Sequence, residues 1–459
     1  MNKYVTRARN IIRHMAVHTA GNPLLSFFSR AFYYTALKFF VRYCAKYPEI
    51  KSVYLRNSFT DKAWVPGLSD IDATVVIRNG LSAEQEFCFL KAFWLGYKKL
   101  KSAFPVLDIP EVLSAEDLDL WARFKTIGHE AEKWKLVYGS GTGGNINTGN
   151  NHHLKESRLI YAVQIYLNYF TEYFFKQSAK TGPAPFEAQR AGCKILRYTD
   201  SGRNSHNTLF QKQAAREDKY IFFNRVLKAL NNSILDMRKN AALPAIAPAS
   251  DETEAIISNA ANPRKIFVVM GDAPGAAAIS SAIKAHALAL NIRDFRVYFV
   301  TRVIFDYIIN FYDPFQYIEF LQKKKIIYGK DPLPGTEVPA INAFIERAAE
   351  ETVSIFTHSR SMRVVLSSPL KSFCLSRFYE YLKAYSEADL FFKNKTADSR
   401  AKETLREYAG LFLPYRQDVE NFTHRTGVNA KEASNKECFL LLRRLSEKIR
   451  KLARKNYAP

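Results

Sequence analysis

Apolar and polar segments are most clearly separated between residues 53 and 77. Two short apolar runs there predict strands, and the polar loop between them opens at Ser58 and closes on a Pro66-Gly67 turn. A stretch with helical spacing follows from about residue 83 to residue 101, and a further apolar run surrounds Asp108. The order strand, strand, helix, strand predicts a small α/β module in the first third of the chain.

Two acidic residues occupy the second predicted strand. Asp70 and Asp72 are two positions apart, so their side chains project from the same face of the strand. Like charges held so close repel each other unless a cation lies between them, and Mg²⁺ prefers carboxylate oxygens as ligands. The pair therefore predicts a site for a divalent metal and a nucleotide. A second Asp-x-Asp, at Asp117 and Asp119, falls in a predicted helix, where we expect a solvated surface.

The segment around Asp70 and Asp72 resembles the nucleotidyltransferase superfamily of the DNA polymerase beta type. That family has a strand, a Gly-Ser turn and a loop, and its next strand opens with Ser-Asp, a hydrophobic residue and Asp. The residues that carry the resemblance are Arg56, Asn57 and Ser58, followed by Gly67, Leu68, Ser69, Asp70, Ile71 and Asp72. Asn57 stands where the family usually has Gly, and Asn enters the left-handed conformation more readily than most residues.

The resemblance implies a catalytic triad of carboxylates. It assigns Asp70, Asp72 and a third carboxylate, for which Asp108 is the candidate, to catalysis and to binding Mg²⁺ or Mn²⁺. The nucleotide-binding residues that it implies are Ser58, Asn57, Arg56 and Ser69. The alternative interpretation of Asp108 is a loop residue beside Glu111 at the end of a strand.

The implied reaction moves a nucleoside monophosphate from a nucleoside triphosphate to a hydroxyl acceptor and releases pyrophosphate. The alternative function is a non-catalytic nucleotide- or nucleic-acid-binding protein on the same fold. A formal net charge of +23 and a pI near 9.6 favour contact with a polyanion, which can be RNA, DNA or a membrane surface. The resemblance implies a nucleoside triphosphate as partner, and the basic charge adds a nucleic acid, RNA or DNA, as a candidate partner beside the membrane surface.

The predicted fold class is α/β (α+β): a nucleotidyltransferase-like catalytic module with a small mixed sheet, helical regions, and a second, degenerate α/β module. Changes in composition set the boundaries, such as the Gly- and Asn-rich stretch after Gly139 and the Pro- and Ala-rich stretch at 242–252. The predicted domains are residues 1–140 (catalytic), 151–241 (helical), 253–335 (degenerate repeat) and 340–459 (basic and helical).

The second module is predicted from a weak internal repeat. The matched positions are Val76, Phe104-x-Val106 and Tyr138-Gly139 in the first copy and Val268, Phe295-x-Val297 and Tyr328-Gly329 in the second. The second copy has no Ser-Asp-x-Asp, so we expect a module without catalytic carboxylates.

The richest apolar stretch, residues 24–47, is interrupted by Arg30, Lys38 and Arg42, which makes it too charged to span a membrane. It predicts an amphipathic helix beneath the first strand, and a helix that lies on a membrane surface is the alternative. The predicted inner face consists of Phe28, Phe32, Leu37 and Val41.

The cysteines and the first residues bear on the compartment. The five cysteines are widely separated and lack the spacing of a zinc site, which is typical of reduced core thiols. The first residues are basic but lack the apolar core and the small-residue cleavage site of a secretory signal. Both observations predict a cytoplasmic protein without a transmembrane segment.

Overall fold

The structure is a computed structural model. It describes residues 23–56, 59–60, 69–122, 134–141, 152–177, 186–199, 217–240, 253–259, 262–271, 274–280, 296–334, 338–366, 371–395, 397–411, 415 and 433–457. Within these residues the protein is a mixed α/β molecule with two small, open, four-stranded mixed sheets, which confirms the predicted class at that level. No helix in these ranges is both long enough and apolar enough to cross a membrane.

Helices dominate the described residues. They are α1 (Pro23–Cys44), α2 (Ala83–Ala103), α3 (Ala115–Ala122), α4 (His152–Ile165), α5 (Thr171–Gln177), α6 (Phe186–Thr199), α7 (Lys219–Asn240), α8 (Arg302–Tyr307), α9 (Phe315–Lys323), α10 (Ile341–Ser359), α11 (Met362–Leu366), α12 (Lys371–Phe392), α13 (Ser399–Ala409) and α14 (Ala433–Tyr457). The strands are β1 (Ile50–Leu55), β2 (Ala73–Ile77), β3 (Glu111–Ser114), β4 (Lys135–Gly139), β5 (Thr253–Asn259), β6 (Asn262–Met270), β7 (Arg296–Thr301) and β8 (Lys324–Gly329).

The chain divides into two compact units, and both are discontinuous in sequence. The first unit comprises Met1–Gly149, Ala348–Ser386 and Arg406–Pro459. The second unit comprises Asn150–Arg347 and Glu387–Leu405. Each unit contains one of the two sheets, so each sheet is combined with helices that lie far from it in the sequence.

The first sheet has the strand order β3-β2-β1-β4. β1 runs antiparallel to β2 and β4, whereas β2 and β3 are parallel, which requires the crossover that α2 supplies. α2 begins with a reciprocal cap. Ser82 Oγ accepts a hydrogen bond from the Gln85 N–H at 3.2 Å, and Gln85 Oε1 accepts one from the Ser82 N–H at 2.9 Å. Its inner side chains, including Phe93 and Trp94, are buried in the core of the first unit.

α1 packs against the same core with a different face from the one predicted. Phe28 and Phe32 are exposed, and Leu37 and Val41 are only half-buried. The buried side chains are Tyr33, Ala36, Phe40 and Cys44. The predicted inner face is wrong because α1 carries apolar residues on nearly every side, so periodicity alone does not single out one stripe. The rotation of α1 about its axis depends on its tertiary contacts. One of these is the buried hydrogen bond that the Tyr33 hydroxyl donates to the Ser69 carbonyl.

The second sheet, with the order β7-β6-β5-β8, repeats the topology of the first. β5 is antiparallel to β6 and β8, and β6 is parallel to β7. The third strand of each sheet also leads into a helix through the same cap. Ser114 Oγ accepts a hydrogen bond from the Asp117 N–H at 3.1 Å, and Thr301 Oγ1 accepts one from the Ile304 N–H at 3.2 Å. The predicted second α/β module is thus present as a second mixed sheet.

The strand register of the two sheets also corresponds. The equivalent pairs are Val53–Tyr138 with Ile256–Tyr328, and Val53–Val75 with Ile256–Val268. The predicted match between the two Tyr-Gly pairs agrees with this register. The predicted match of Val76 with Val268 is wrong by one residue, and such a slip exchanges the two faces of a strand.

The residue that corresponds to Asp72 is different in the second sheet. Ile266 is the counterpart of Ala73 in this register. Lys265, one residue earlier, therefore occupies the position of Asp72. The sequence of the second sheet thus has Lys at the position where that of the first has Asp.

A cluster of charged side chains lies buried in the first unit. Arg360, in the turn between α10 and α11, is 1% exposed and donates hydrogen bonds to Glu86 of α2 and Asp117 of α3. Two arginines of α14 complete the set, which we call the Arg360 cluster. Arg443 Nε lies 2.9 Å from Glu86 Oε2, and Arg450 Nη2 lies 2.8 Å from Asp117 Oδ1. Part of the positive charge of the C-terminal helix is thus used inside the protein.

The solvated surface predicted at Asp117 is wrong, because this side chain is 1% exposed. Burial raises its pKa, but the nearby charges of Arg360 and Arg450 and a hydrogen bond from Ser114 outweigh burial and lower the pKa to about 2. Arg360 is 243 residues away along the chain. A local pattern of helical residues cannot reveal a partner at that distance.

Candidate active site

Asp70 and Asp72 lie at the entrance to β2. The residue between them, Ile71, is buried in the core of the first unit. Side chains alternate along an extended chain, so Asp70 and Asp72 project from the opposite face, where both are partly exposed. The Arg56 N–H donates a hydrogen bond to the Asp72 carbonyl at 3.0 Å, which continues the pairing of β1 with the chain up to this point.

Asp108 reaches the same edge of the sheet from the neighbouring segment. Ile71 and Leu107 form an isolated parallel bridge, in which the Ile71 N–H donates to the Val106 carbonyl at 2.7 Å and the Asp108 N–H donates to the Ile71 carbonyl at 3.1 Å. Leu107 is buried in the same core as Ile71. Asp108 and Asp72 each follow one of these two core residues, so both face away from the core.

The strand predicted around Asp108 is not formed there, and Asp108 has the alternative position, in a loop close to Glu111 at the end of a strand. β3 begins only at Glu111, and Asp108 belongs to the connection that precedes it. Pro110 has no N–H with which to extend the ladder backwards, so the pairing near Asp108 is reduced to a single bridge. The Asp108 side chain is about half exposed.

Two tyrosines hold the backbone beside these carboxylates from the core side. The Tyr33 hydroxyl of α1 donates a hydrogen bond of 2.6 Å to the carbonyl of Ser69, one residue before Asp70. The Tyr97 hydroxyl of α2 donates one to the carbonyl of Asp108 itself. Both segments that carry the acids are therefore fixed to helices of the core.

Tyr97 also interacts electrostatically with two of the acids. Burial raises the pKa of Tyr97, and Coulombic interactions with Asp108, Cys44 and Asp70 raise it further. The hydroxyl consequently stays protonated and remains a donor to the Asp108 carbonyl. Asp70 and Asp108 are both near enough to this one side chain to influence its charge.

Lys101 adds a cation to this group. Its Nζ lies 3.8 Å from Asp108 Oδ1 and donates a hydrogen bond to the Leu107 carbonyl. Sequence reasoning missed both Tyr97 and Lys101. The sequence feature that could have revealed them is their spacing of four residues on α2. This spacing places both on one side of the helix, just before the segment that carries Asp108.

Arg56, predicted to contact the nucleotide, is buried at the end of β1. Its Nη1 donates to Glu111 Oε2 at 2.7 Å, and its guanidinium lies 5.6 Å from the centre of the Trp134 ring. The sequence did not indicate this ion pair, because it depends on the order of the strands. The nucleotide-binding role of Arg56 stays a prediction, and its charge already has Glu111 as a partner.

The other predicted nucleotide-binding residues divide into two groups. Asn57 and Ser58, with residues 61–68 of the same loop, lie outside the described residues. Ser69 is buried, and its carbonyl is the acceptor of the Tyr33 hydroxyl. This hydrogen bond to the Ser69 backbone helps to set the position of Asp70.

The donor chemistry of this edge suits a divalent metal that arrives with a nucleotide. Among the residues that the structure describes, no group of three or more His, Cys, Asp or Glu side chains is arranged to hold a metal ion. Mg²⁺ rarely needs such a cage, since it keeps several waters and is commonly bound by one or two carboxylates together with substrate phosphates. Asp70 and Asp72, adjacent on one face and partly exposed, fit that mode of binding.

Comparison of the chain with protein-family models, curated protein sequences and solved structures finds no match in any of the three. The function must therefore be argued from the site itself.

Proposed function

We propose that the first unit is a metal-dependent nucleotidyltransferase that moves a nucleoside monophosphate from a nucleoside triphosphate to a hydroxyl acceptor. One observation carries the proposal. The parallel bridge between Ile71 and Leu107 sets Asp108 beside Asp72, on the face where Asp70 also projects. Carboxylates that share one face at the edge of a sheet provide the oxygen ligands that a divalent cation prefers.

The chain's own residues have separate tasks in this reaction. Asp70 and Asp72 would hold Mg²⁺ or Mn²⁺, which when bound neutralises the triphosphate and polarises the α-phosphorus. Asp108 accepts the proton of the acceptor hydroxyl as its oxygen bonds to the α-phosphorus. The bond from that phosphorus to the bridging oxygen breaks, and pyrophosphate leaves. Tyr33 and Tyr97 keep the two acid-bearing segments in place.

The test uses the full-length protein with α-³²P-labelled ATP, GTP, CTP or UTP, Mg²⁺ or Mn²⁺, and three pools of acceptors: total RNA, small metabolites and the protein itself. We expect label transfer by the wild type. Asp70→Asn and Asp72→Asn should each reduce it by about 100-fold or more, because each removes charge stabilisation that the transition state needs.

Asp236→Asn is the matched control, since Asp236 is exposed on α7 and far from the site in sequence. It should transfer label at the wild-type rate. Equal transfer by the wild type, Asp70→Asn and Asp72→Asn would contradict the proposal. Circular dichroism and thermal unfolding establish that each variant is folded.

The second candidate is a non-catalytic nucleotide- or nucleic-acid-binding protein on the same scaffold. It is favoured by the lack of a three-residue metal cluster in the described ranges and by the Lys265 at the acid position of the second sheet. This candidate predicts that ATP raises the thermal midpoint without a divalent metal and without product formation. The nucleotidyltransferase proposal predicts instead that ATP raises the thermal midpoint only with Mg²⁺, and that this increase disappears in Asp70→Asn.

A further inference from the structure

The outward side of α1 is covered with exposed aromatic rings. Phe27 and Phe28 are 67% and 65% exposed, although large apolar side chains are usually buried. The exposed rings of α1, which we call the aromatic face, are Phe27, Phe28, Phe32, Tyr34 and Phe39. The buried stripe of the helix, described above, is separate from this set. α1 therefore still exposes apolar surface after it has packed on the core.

The aromatic face is continuous with the body of the protein. The Phe32 ring lies 5.8 Å from the ring of Phe104, and the Phe39 ring lies 5.2 Å from it and is stacked. Phe28, Phe32 and Phe39 are spaced by four and seven residues, which returns them to one side of a helix. The patch thus has a fixed shape before any partner arrives.

Every charged residue of α1 is a cation. Arg30, Lys38 and Arg42 lie within Pro23–Cys44, and the helix contains no Asp or Glu. Lys38 and Arg42 are exposed and one turn apart. A partner that covers the rings of this helix must therefore also accept positive charge.

We propose that the aromatic face of α1 binds the surface of an anionic lipid bilayer, with the rings in the boundary between headgroups and acyl chains and the cations among the headgroups. Phenylalanine combined with Lys or Arg on a helix is suited to that boundary. The helix, about 33 Å long, lies along the surface, because its three cations prevent it from spanning the bilayer.

The composition of the face favours lipid over nucleic acid. Nucleic-acid surfaces obtain most of their affinity from cations that contact phosphates. On α1 the exposed rings outnumber the cations, and Phe32 and Phe39 are packed against Phe104 in one apolar patch. The proposal is independent of the proposed enzymatic activity, since it uses none of the site carboxylates.

The experiment is co-sedimentation of the full-length protein with vesicles of phosphatidylcholine alone or of phosphatidylcholine with phosphatidylserine. The wild type should sediment with the anionic vesicles and remain in solution with the neutral ones. Phe27→Ser/Phe28→Ser should weaken partitioning by roughly tenfold or more. Lys38→Ser/Arg42→Ser should reduce the preference for phosphatidylserine by a similar factor, and added salt should have the same effect on the wild type.

The matched control is Ile221→Ser/Leu390→Ser, which removes two equally exposed apolar side chains from other helices. It should sediment like the wild type. The proposal is overturned if the wild type stays in solution with anionic vesicles, or if Phe27→Ser/Phe28→Ser sediments unchanged. It is also overturned if the serine variants lose only binding to oligouridine, which makes the face a nucleic-acid surface, or only a dimer seen in sedimentation velocity, which makes it an interface between copies.

Discussion

Gly139 and Gly329 occupy the same position in the two sheets, at the end of β4 and of β8. Both have a positive φ, +81° and +77°. A Cβ at Gly139 would lie 2.0 Å from the Lys51 carbonyl oxygen, and one at Gly329 would lie 1.9 Å from that of Glu254. The two sheets therefore share a backbone detail as well as a strand order.

Replacing either glycine by alanine should destabilise the protein through two effects. The left-handed conformation costs a residue with a Cβ about 1 to 2 kcal/mol. The contact with the carbonyl oxygen adds about 1 to 3 kcal/mol, because backbone must move. Gly80→Ala separates the effects, since Gly80 has a φ of +81° and no atom within 4 Å of an added Cβ. In urea unfolding, Gly139→Ala should have a clearly lower free energy of unfolding than Gly80→Ala. Equal losses of stability would contradict the contribution of the contact with the carbonyl oxygen.

Arg360→Met should lower the free energy of unfolding by about 3 to 5 kcal/mol, since removing one member of a buried ionic group leaves charges without compensation. Arg360 bonds to both Glu86 and Asp117, so two carboxylates are affected. Arg444→Met is the control, because Arg444 is exposed on α14 beside Arg443. Chemical denaturation measures both variants. A loss for Arg360→Met no larger than that of Arg444→Met would show that the Arg360 cluster contributes little.

The stability of the first unit should fall in acid because of Asp117. Its folded pKa, about 2, is below the ordinary value of 3.8, so its ionised form contributes stability that is complete above pH 5 and is lost as the pH falls towards 2. The difference corresponds to about 2 kcal/mol. Asp117→Asn should be less stable than the wild type at pH 7, and the gap should narrow between pH 5 and pH 2. A gap that is constant with pH, measured by urea unfolding, would argue against this role.

The cysteines should differ sharply in reactivity. Cys88 is exposed on α2, whereas burial raises the pKa of Cys44 and, with smaller and opposing effects of Arg225 and Glu217, raises that of Cys193 to about 11. At pH 8 only about a thousandth of Cys193 is thiolate, the reactive form. Brief iodoacetamide treatment followed by peptide mass spectrometry should find Cys88 modified before Cys44 and Cys193. Labelling in urea provides the control, in which the three sites should react alike.

The local pattern predicted those parts of the fold that depend on neighbours in sequence. A short apolar run indicated β2, the spacing of two residues indicated the shared face of Asp70 and Asp72, and helical spacing indicated α2. The rotation of α1 could not be predicted in this way, because it depends on which stripe finds partners in the core. The start of β3 was displaced because Pro110 interrupts the ladder after Asp108.

The candidate site shows the same division. The acids are visible as a sequence motif, whereas their supports are not. Tyr33 reaches Ser69 across 36 residues, and Arg56 reaches Glu111 across 55. Each of these contacts requires the strand order and the helix rotation to be known first, so sequence periodicity carries no direct signal for them.

The Arg360 cluster has a consequence for synthesis of the chain. Glu86 and Arg443 are 357 residues apart. At 5 to 20 residues per second, roughly 20 to 70 s separate the translation of the two. During that interval Glu86 of α2 and Asp117 of α3 each lack one of the arginines that pair with them in the folded protein. Nearly the whole polypeptide must therefore be synthesised before the first unit can form all the ion pairs of the Arg360 cluster.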